Sequence, residues 1–214
     1  MHPSQVDEKS PAPGNGKSVL QSFIGSIENV SSDDFANERD RASALRAAQT
    51  LLVRIESPWD TIVRLNMTQP ALSAVLKTLK DLKFFEKWQA AGNGALTTGQ
   101  AVELLEEEYD ATLLYRFLRL LAANYIVEEI TIGTFIPTNL GIALTAPIFD
   151  SLIKNYHGFM APIYSKLPEY FADTDYRNPQ DPACAGFQYA HKWNGNLWSY
   201  YDAHRAEQDD FNII

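Results

Sequence analysis

A single change of hydrophobic period sets most of what this chain can fold into. From Val19 to about Asn124 the apolar residues recur at helical spacing; at Ile126 they switch to two short strand-like runs, and near Ala146 helical spacing returns. Val19, Leu20, Phe23, Ile24 and Ile27 predict a short amphipathic helix. "SSDDFANERDRASALRAAQTLLVRIES" follows as a long Ala-rich helix with Ser and Asp at its cap and an acidic first turn, stopped by Pro58. Two more helices are expected around Pro70, the second closed by Gly92 and Gly94. Residues 95–145 then read as a helix begun by threonines, a turn at Glu106 to Asp110, a helix to about Asn124, and strands Ile126 to Thr131 and Thr134 to Thr138 about Gly133. That order is a winged helix-turn-helix with a two-stranded wing, inside a mainly α fold.

Charge decides which use of such a module is open. Residues 95–145 hold two basic residues, Arg116 and Arg119, against seven acidic ones, and the chain of 214 residues has a formal charge of -9. A DNA-reading helix is basic and polar on its outward face, whereas "ATLLYRFLRLLAANY" is mostly apolar. The balance disfavours nucleic acid and anionic membrane as partners. The start, "MHPSQVDEKSPAPGNGK", lacks the charged-then-apolar order of a secretory leader, and no run of eighteen apolar residues occurs. With Cys184 as the one cysteine, an intrachain disulfide is impossible, and the cytoplasm is the expected compartment.

The stretches "ESPWDTIVRLNMTQPALSAVLKTLKDLKFFE", "YRFLRLLAANYIVEE", "FIPTNLGIAL" and "YRNPQDPACAGFQYAH" together resemble the N-terminal half of a fungal class I O-methyltransferase. The resemblance runs from about Ala36 to Phe211, and "HRAEQDDFNII" resembles the segment before that family's first Rossmann strand. Residues 1–18, with Pro, Gly, Ser and charge but no apolar period, read as a disordered arm; with the resemblance, the remainder divides into a helical dimerisation region over 19–94, the winged-helix module over 95–145, and a helical pocket-lining and C-terminal segment over 146–214. The resemblance also implies an intertwined homodimer through the N-terminal helices and an aromatic-substrate pocket. In that family the cofactor S-adenosylmethionine and the catalytic histidine belong to a C-terminal Rossmann-like half.

This sequence holds neither the glycine-rich strand-to-helix turn nor the acidic ribose ligand of such a half, so no cofactor is expected. Its two Gly-Asn-Gly runs read as turn punctuation. The histidines are scattered over different segments, so no metal is expected either. Site candidates lie after the wing. Pro147 suits the first turn of a helix from about Ala146, which should bend or break at Gly158 and Pro162. On it Ile153, His157, Met160 and Tyr164 follow helical spacing, giving an apolar wall with one imidazole and one phenol. His157 and Tyr164 are the catalytic candidates, with desolvation lowering the imidazole's pKa and a nearby Asp150 or Glu169 raising it, so that sequence leaves the sign open. The bland alternative is a His157 bonded to a backbone carbonyl. Phe187, Tyr189, His191 and Trp193 are substrate-binding candidates beside Ile153 and Met160, and a core role for Phe187, Trp193 and Trp198 is the competing reading.

Three functions are open to such a chain. One is a cofactor-independent enzyme of fungal secondary metabolism that binds a hydrophobic polyketide or alkaloid and promotes cyclisation, dehydration or isomerisation, an analogy strengthened by pericyclases among relatives of the resembling family. The others are a non-catalytic dimerising partner of a complete methyltransferase, and an isolated substrate-binding fragment of one.

Overall fold

Helices carry the chain and one small antiparallel sheet interrupts them, so the fold is mainly α, as the period change requires. The structure is a computed structural model and describes residues 15–106 and 108–214. Its chain divides into two compact units, Met1–Thr61 and Ile62–Ile214.

The first unit holds α1 (Asn15–Glu28) and α2 (Glu38–Ile55). The end of the expected arm is therefore already helical, and its residues 1–14 lie outside the described residues. Ser31 caps only a short 3-10 turn (Ser32–Asp34), so the cap of α2 is not the Ser and Asp expected but Asn37, which accepts the Asp40 amide at 3.0 Å; Glu38 and Asp40 at the start of α2 with Arg54 at its end oppose the helix dipole. Between α1 and α2, Phe23, Ile27, Val30, Phe35, Leu45 and Leu51 line an apolar cavity of about 660 Å³. None of the described residues of this unit is buried.

The second unit is reached through α3 (Pro58–Val63), which passes through a π-turn (Arg64–Thr68) into α4 (Gln69–Asp81). The helical path is unbroken at Pro70, where the sequence predicts a boundary. The break comes instead at Lys83, whose φ of 52° ends α4 and starts α5 (Phe84–Ala90). Beyond α5 lie β1 (Leu96–Thr97), α6 (Thr98–Leu104), α7 (Ala111–Ala122), β2 (Val127–Thr131), β3 (Thr134–Pro137) and α8 (Asn139–Ala143). The sheet has three strands in the order β1-β3-β2, one more than expected, because Leu96 and Thr97 pair with Phe135 and Thr134. Two residues are too few to leave an alternating pattern, and Thr97 is also the N-cap of α6. Between β2 and β3, Gly133 takes the positive φ of 75° that the turn needs, and its amide donates to Glu129 Oε1 at 2.9 Å. The chain ends in α9 (Pro147–Asn155), a second π-turn (Tyr156–Met160), α10 (Ala161–Asp173), α11 (Gly186–His191), α12 (Leu197–Ala203) and α13 (Arg205–Ile213).

Leu114, Leu118 and Leu121, spaced as one helix face, bury α7 against Leu79, Phe84, Phe85, Trp88 and Phe135. Gly141 is required beside this core, since a Cβ there would lie 2.4 Å from the Ile126 carbonyl oxygen. One charge sits at the edge of the same core. The Lys80 side chain is 1% exposed, and its ammonium pairs with Glu86, donates to the Leu144 carbonyl at 2.9 Å and lies 3.6 Å from Asp150. Asp150 also binds Lys154 at 2.7 Å. Burial pushes the Asp150 carboxyl up, but the hydrogen bond and charge of Lys154, with Lys80 behind them, outweigh it and hold the carboxyl below its ordinary value of 3.8.

Removing the Lys80 ammonium strands a partly buried Glu86, so Lys80→Ala should cost roughly 3–5 kcal/mol in chemical denaturation. A second outcome concerns pH. Because the folded carboxyl of Asp150 titrates below 3.8, its contribution to stability is full above about pH 5 and is lost as pH falls through the folded value. The stability gap between wild type and Asp150→Asn should therefore stay constant from neutrality to about pH 5 and shrink progressively below it, as read from denaturation midpoints across pH.

Candidate functional site

Proline inside a helix both lacks an amide proton and crowds the carbonyl four residues back. At Pro162 that carbonyl belongs to Gly158, and the chain relieves the crowding with the wide turn Tyr156–Met160, closed by the Ala161 amide on the Tyr156 carbonyl. Pro70 is handled identically: the Gln69 amide closes the turn Arg64–Thr68 on the Arg64 carbonyl. The expected bend or break at Gly158 and Pro162 is thus a π-turn within a continuous helix.

An extra residue in one turn advances the side-chain phase by about 100°. The face expected from Ile153, His157, Met160 and Tyr164 is split for that reason. Ile153, before the turn, packs on the core around α7, while Met160, at its end, packs with Phe159 in a separate aromatic cluster. Tyr164 is 51% exposed, its ring 6.4 Å from that of Tyr156. His157 turns to α4, where its Nε2 lies 3.0 Å from the Ser73 carbonyl oxygen, the main-chain contact of the structural alternative, and 3.1 Å from Ser73 Oγ. The Tyr156 ring stands edge-on to the imidazole at 5.1 Å. Leu65, Gln69, Pro70, Ser73 and Tyr156 line an open cavity of about 330 Å³ beside it.

Neither carboxylate expected to act on His157 is directed to it. Asp150 is held by Lys154 and Lys80, and Glu169 by Lys166 at 2.6 Å and by the Tyr189 hydroxyl at 2.9 Å. The hydrogen bond of Lys166, followed by that of Tyr189, keeps the Glu169 carboxyl below its ordinary value. Tyr189 stands between Glu169 and Asp173, with its hydroxyl 2.6 Å from the latter. That bond to Asp173, then lost hydration, then Glu169 push the Tyr189 phenol well above its ordinary range.

The remaining candidates converge on Phe159. Its buried ring stacks on His191 at 5.1 Å and meets Phe187 at 5.3 Å, Tyr200 at 5.6 Å and Tyr201 at 5.8 Å. His191 Nε2 lies 3.0 Å from the Phe159 carbonyl oxygen, and the Tyr200 hydroxyl lies 3.4 Å from Nδ1. Trp193 sets its edge on Tyr200 at 5.5 Å, and His204 stacks on the Tyr200 ring at 4.1 Å. Burial first, then the charge of Glu207, raises the Tyr200 phenol. Gln188, buried at the base of this cluster, donates to the Pro182 and Gly195 carbonyls at 2.9 and 3.0 Å and accepts the Ala185 amide at 3.0 Å. Phe187, His191 and Trp193 therefore pack together with Met160, apart from Tyr189. Trp198, expected with them in a core, is 64% exposed. Ser73, Gln69, Leu65 and Tyr156 carry no sequence signature of a site, and the one signal for their juxtaposition is a proline at the second position of two helices that have no cap to begin them.

No protein-family model matches the chain. It is 41% identical over 201 residues to the O-methyltransferase mfmE of Annulohypoxylon moriforme, an alignment covering 94% of this chain and 50% of that protein. Identity to the O-methyltransferase mpaG of Penicillium roqueforti is 30% over 154 residues, covering 71% of this chain and 38% of the relative. The chain thus spans about half the length, or less, of the curated relatives it matches, and its homologues are fungal O-methyltransferases. Among solved structures, one described as a pericyclic reaction enzyme superposes with a TM-score of 0.80 at 19% identity, covering 92% of this chain and 49% of that one. LepI in complex with SAM gives 0.77 at 19% identity over 92% and 48%, and OxaC in complex with SAH and oxaline gives 0.68 at 13% over 92% and 47%. At these identities the likeness shows a shared fold.

The aromatic cluster has a measurable signature. Phe159→Ala removes the ring that the others surround and should cost about 3–5 kcal/mol with loss of near-UV circular dichroism. Trp198→Ala, at an exposed position, should stay within about 0.5 kcal/mol of wild type in the same denaturation assay.

Proposed function

We propose that this chain is the substrate-binding and dimerising portion of an O-methyltransferase-like protein of fungal secondary metabolism. Its ligand is a hydrophobic polyketide or alkaloid intermediate, and the step it promotes by itself is a SAM-independent cyclisation, dehydration or isomerisation. The observation that carries the reading is the placement of His157. A π-turn holds its imidazole on Ser73, which lines an open cavity, with neither flanking carboxylate directed to the ring, and the chain superposes on about half of a pericyclic reaction enzyme. One positioned imidazole and a binding surface that selects a reactive conformer suffice for such steps, because neither requires a transferred group. His157 is the general acid or base in this reading, and Tyr164 orients the ligand.

Assembly belongs to the same proposal. The helices α1 and α2 expose Val19, Phe23, Ile24, Leu45, Leu52 and Val53, and apolar surface of that extent is covered in solution. A homodimer through these helices covers it. A second reading is favoured by the 41% identity to mfmE over half of that protein: methyl transfer, in which this portion supplies the substrate wall and works with a complete methyltransferase.

Purified protein incubated with pathway intermediates, with and without SAM, separates the two. Product formed without SAM, reduced roughly 10² to 10⁴-fold by His157→Ala while circular dichroism is unchanged, is the expected result. Product seen only when SAM and a complete methyltransferase are both added would replace it with the second reading. Light scattering at tens of micromolar should give a dimer mass, and a monomer would remove the assembly proposal.

A further inference from the structure

Ser73 faces two ways: its main-chain and side-chain oxygens both meet His157 Nε2, and the residue also lines the cavity bounded by Leu65, Gln69, Pro70 and Tyr156. The carbonyl can only accept, so a separation of 3.0 Å calls for a proton on Nε2. A bare Nε2 there would set one lone pair against another. Neutral His157 is therefore the tautomer protonated at Nε2, with Nδ1 as its basic nitrogen. The consequence for Ser73 is direct. Its hydroxyl, 3.1 Å from an already protonated nitrogen, cannot donate to that nitrogen and keeps its own proton for another acceptor.

The cavity beside it is about 330 Å³, within the range of small-molecule pockets. None of its lining side chains is charged. Leu65, Pro70 and the Tyr156 ring give it apolar walls, while Ser73 and Gln69, one helical turn apart on α4, supply its polar groups. We propose that this cavity binds a neutral small molecule of mixed polarity through an acceptor oxygen, a ketone or similar carbonyl, that accepts a hydrogen bond from the Ser73 hydroxyl, with the Ser73 carbonyl acting as the group that sets the tautomer of His157. Ser73 is a positioning residue towards His157 and a binding residue towards the ligand. The inference rests on the reading that Ile62–Ile214 binds a hydrophobic intermediate, and adds to it the location and the polar requirement of the ligand.

The test uses the full chain labelled with ¹⁵N, and acetophenone with its hydrocarbon isostere α-methylstyrene as probes. Long-range ¹H–¹⁵N correlation spectra should show His157 protonated at Nε2, the signal being assigned by its disappearance in His157→Gln. Acetophenone should shift the Leu65, Gln69 and Ser73 amides saturably. Ser73→Ala should weaken it roughly three- to tenfold, the size of one net hydrogen bond, and leave α-methylstyrene binding unchanged. Ser73→Thr, which keeps the hydroxyl, should restore acetophenone binding. A His157 protonated at Nδ1, acetophenone shifts mapping away from these residues, or equal acetophenone affinity for wild type and Ser73→Ala would each overturn the proposal. Neither probe is turned over, so a failure here is distinct from a failure to convert a pathway intermediate.

Discussion

The second unit is organised about one buried cation. Lys80 emerges from the last turn of α4, and three groups from elsewhere in the chain meet its ammonium: Glu86 of α5, the Leu144 carbonyl just after α8, and Asp150 of α9. An ammonium taken out of water must be compensated by oriented oxygens, and those oxygens can be supplied only if α5, α8 and α9 stand where they do. The interaction therefore works less as a source of net stability than as a constraint on arrangement. It fixes the start of α9, and with it the helical path that carries His157 towards α4.

From that anchor, the path is redirected twice by the same device. Pro70 and Pro162 each come just after a five-residue wide turn, and the two turns border one cavity. A helix that simply broke at each proline would leave several amides and carbonyls to be satisfied separately; the wide turn keeps the run continuous and changes only the azimuth of the residues beyond it. Within the second turn His157 faces Ser73 while Met160, at its end, packs with Phe159, although their spacing would put them on one face of an ordinary helix.

The aromatic residues at the C-terminal end illustrate a second constraint. Phe187, His191, Trp193, Tyr200 and Tyr201 look from composition like a ligand cage, yet they close around Phe159, and their polar atoms are largely spent on main-chain carbonyls and on one another. Small helices with few aliphatic side chains bury rings in edge and stacked pairs to make a core at all. In the first unit the balance is reversed, with apolar side chains on both helices and none of its described residues buried.

Much of the fold was legible in the sequence because it rests on local physics. The helical period, Pro147 at a helix start and Gly133 in the hairpin act within a few residues of themselves, and the elements they specify appear where that chemistry puts them, whereas the cap of α2 falls at Asn37 and not at the Ser and Asp expected. The third strand escapes a sequence reading because two residues carry no period, and Pro70 and Pro162 read as boundaries because a proline's local preference is to end a helix. The site depends on contacts between segments far apart in sequence. His157 and Ser73 are 84 residues apart, and nothing local to either specifies the other. What the sequence by itself determined is which stretches are helix or strand and that His157 lies beyond Pro147 on a helical run. Only the tertiary structure decided which way that imidazole faces, because its direction depends on a carbonyl of α4 that lies 84 residues away in sequence.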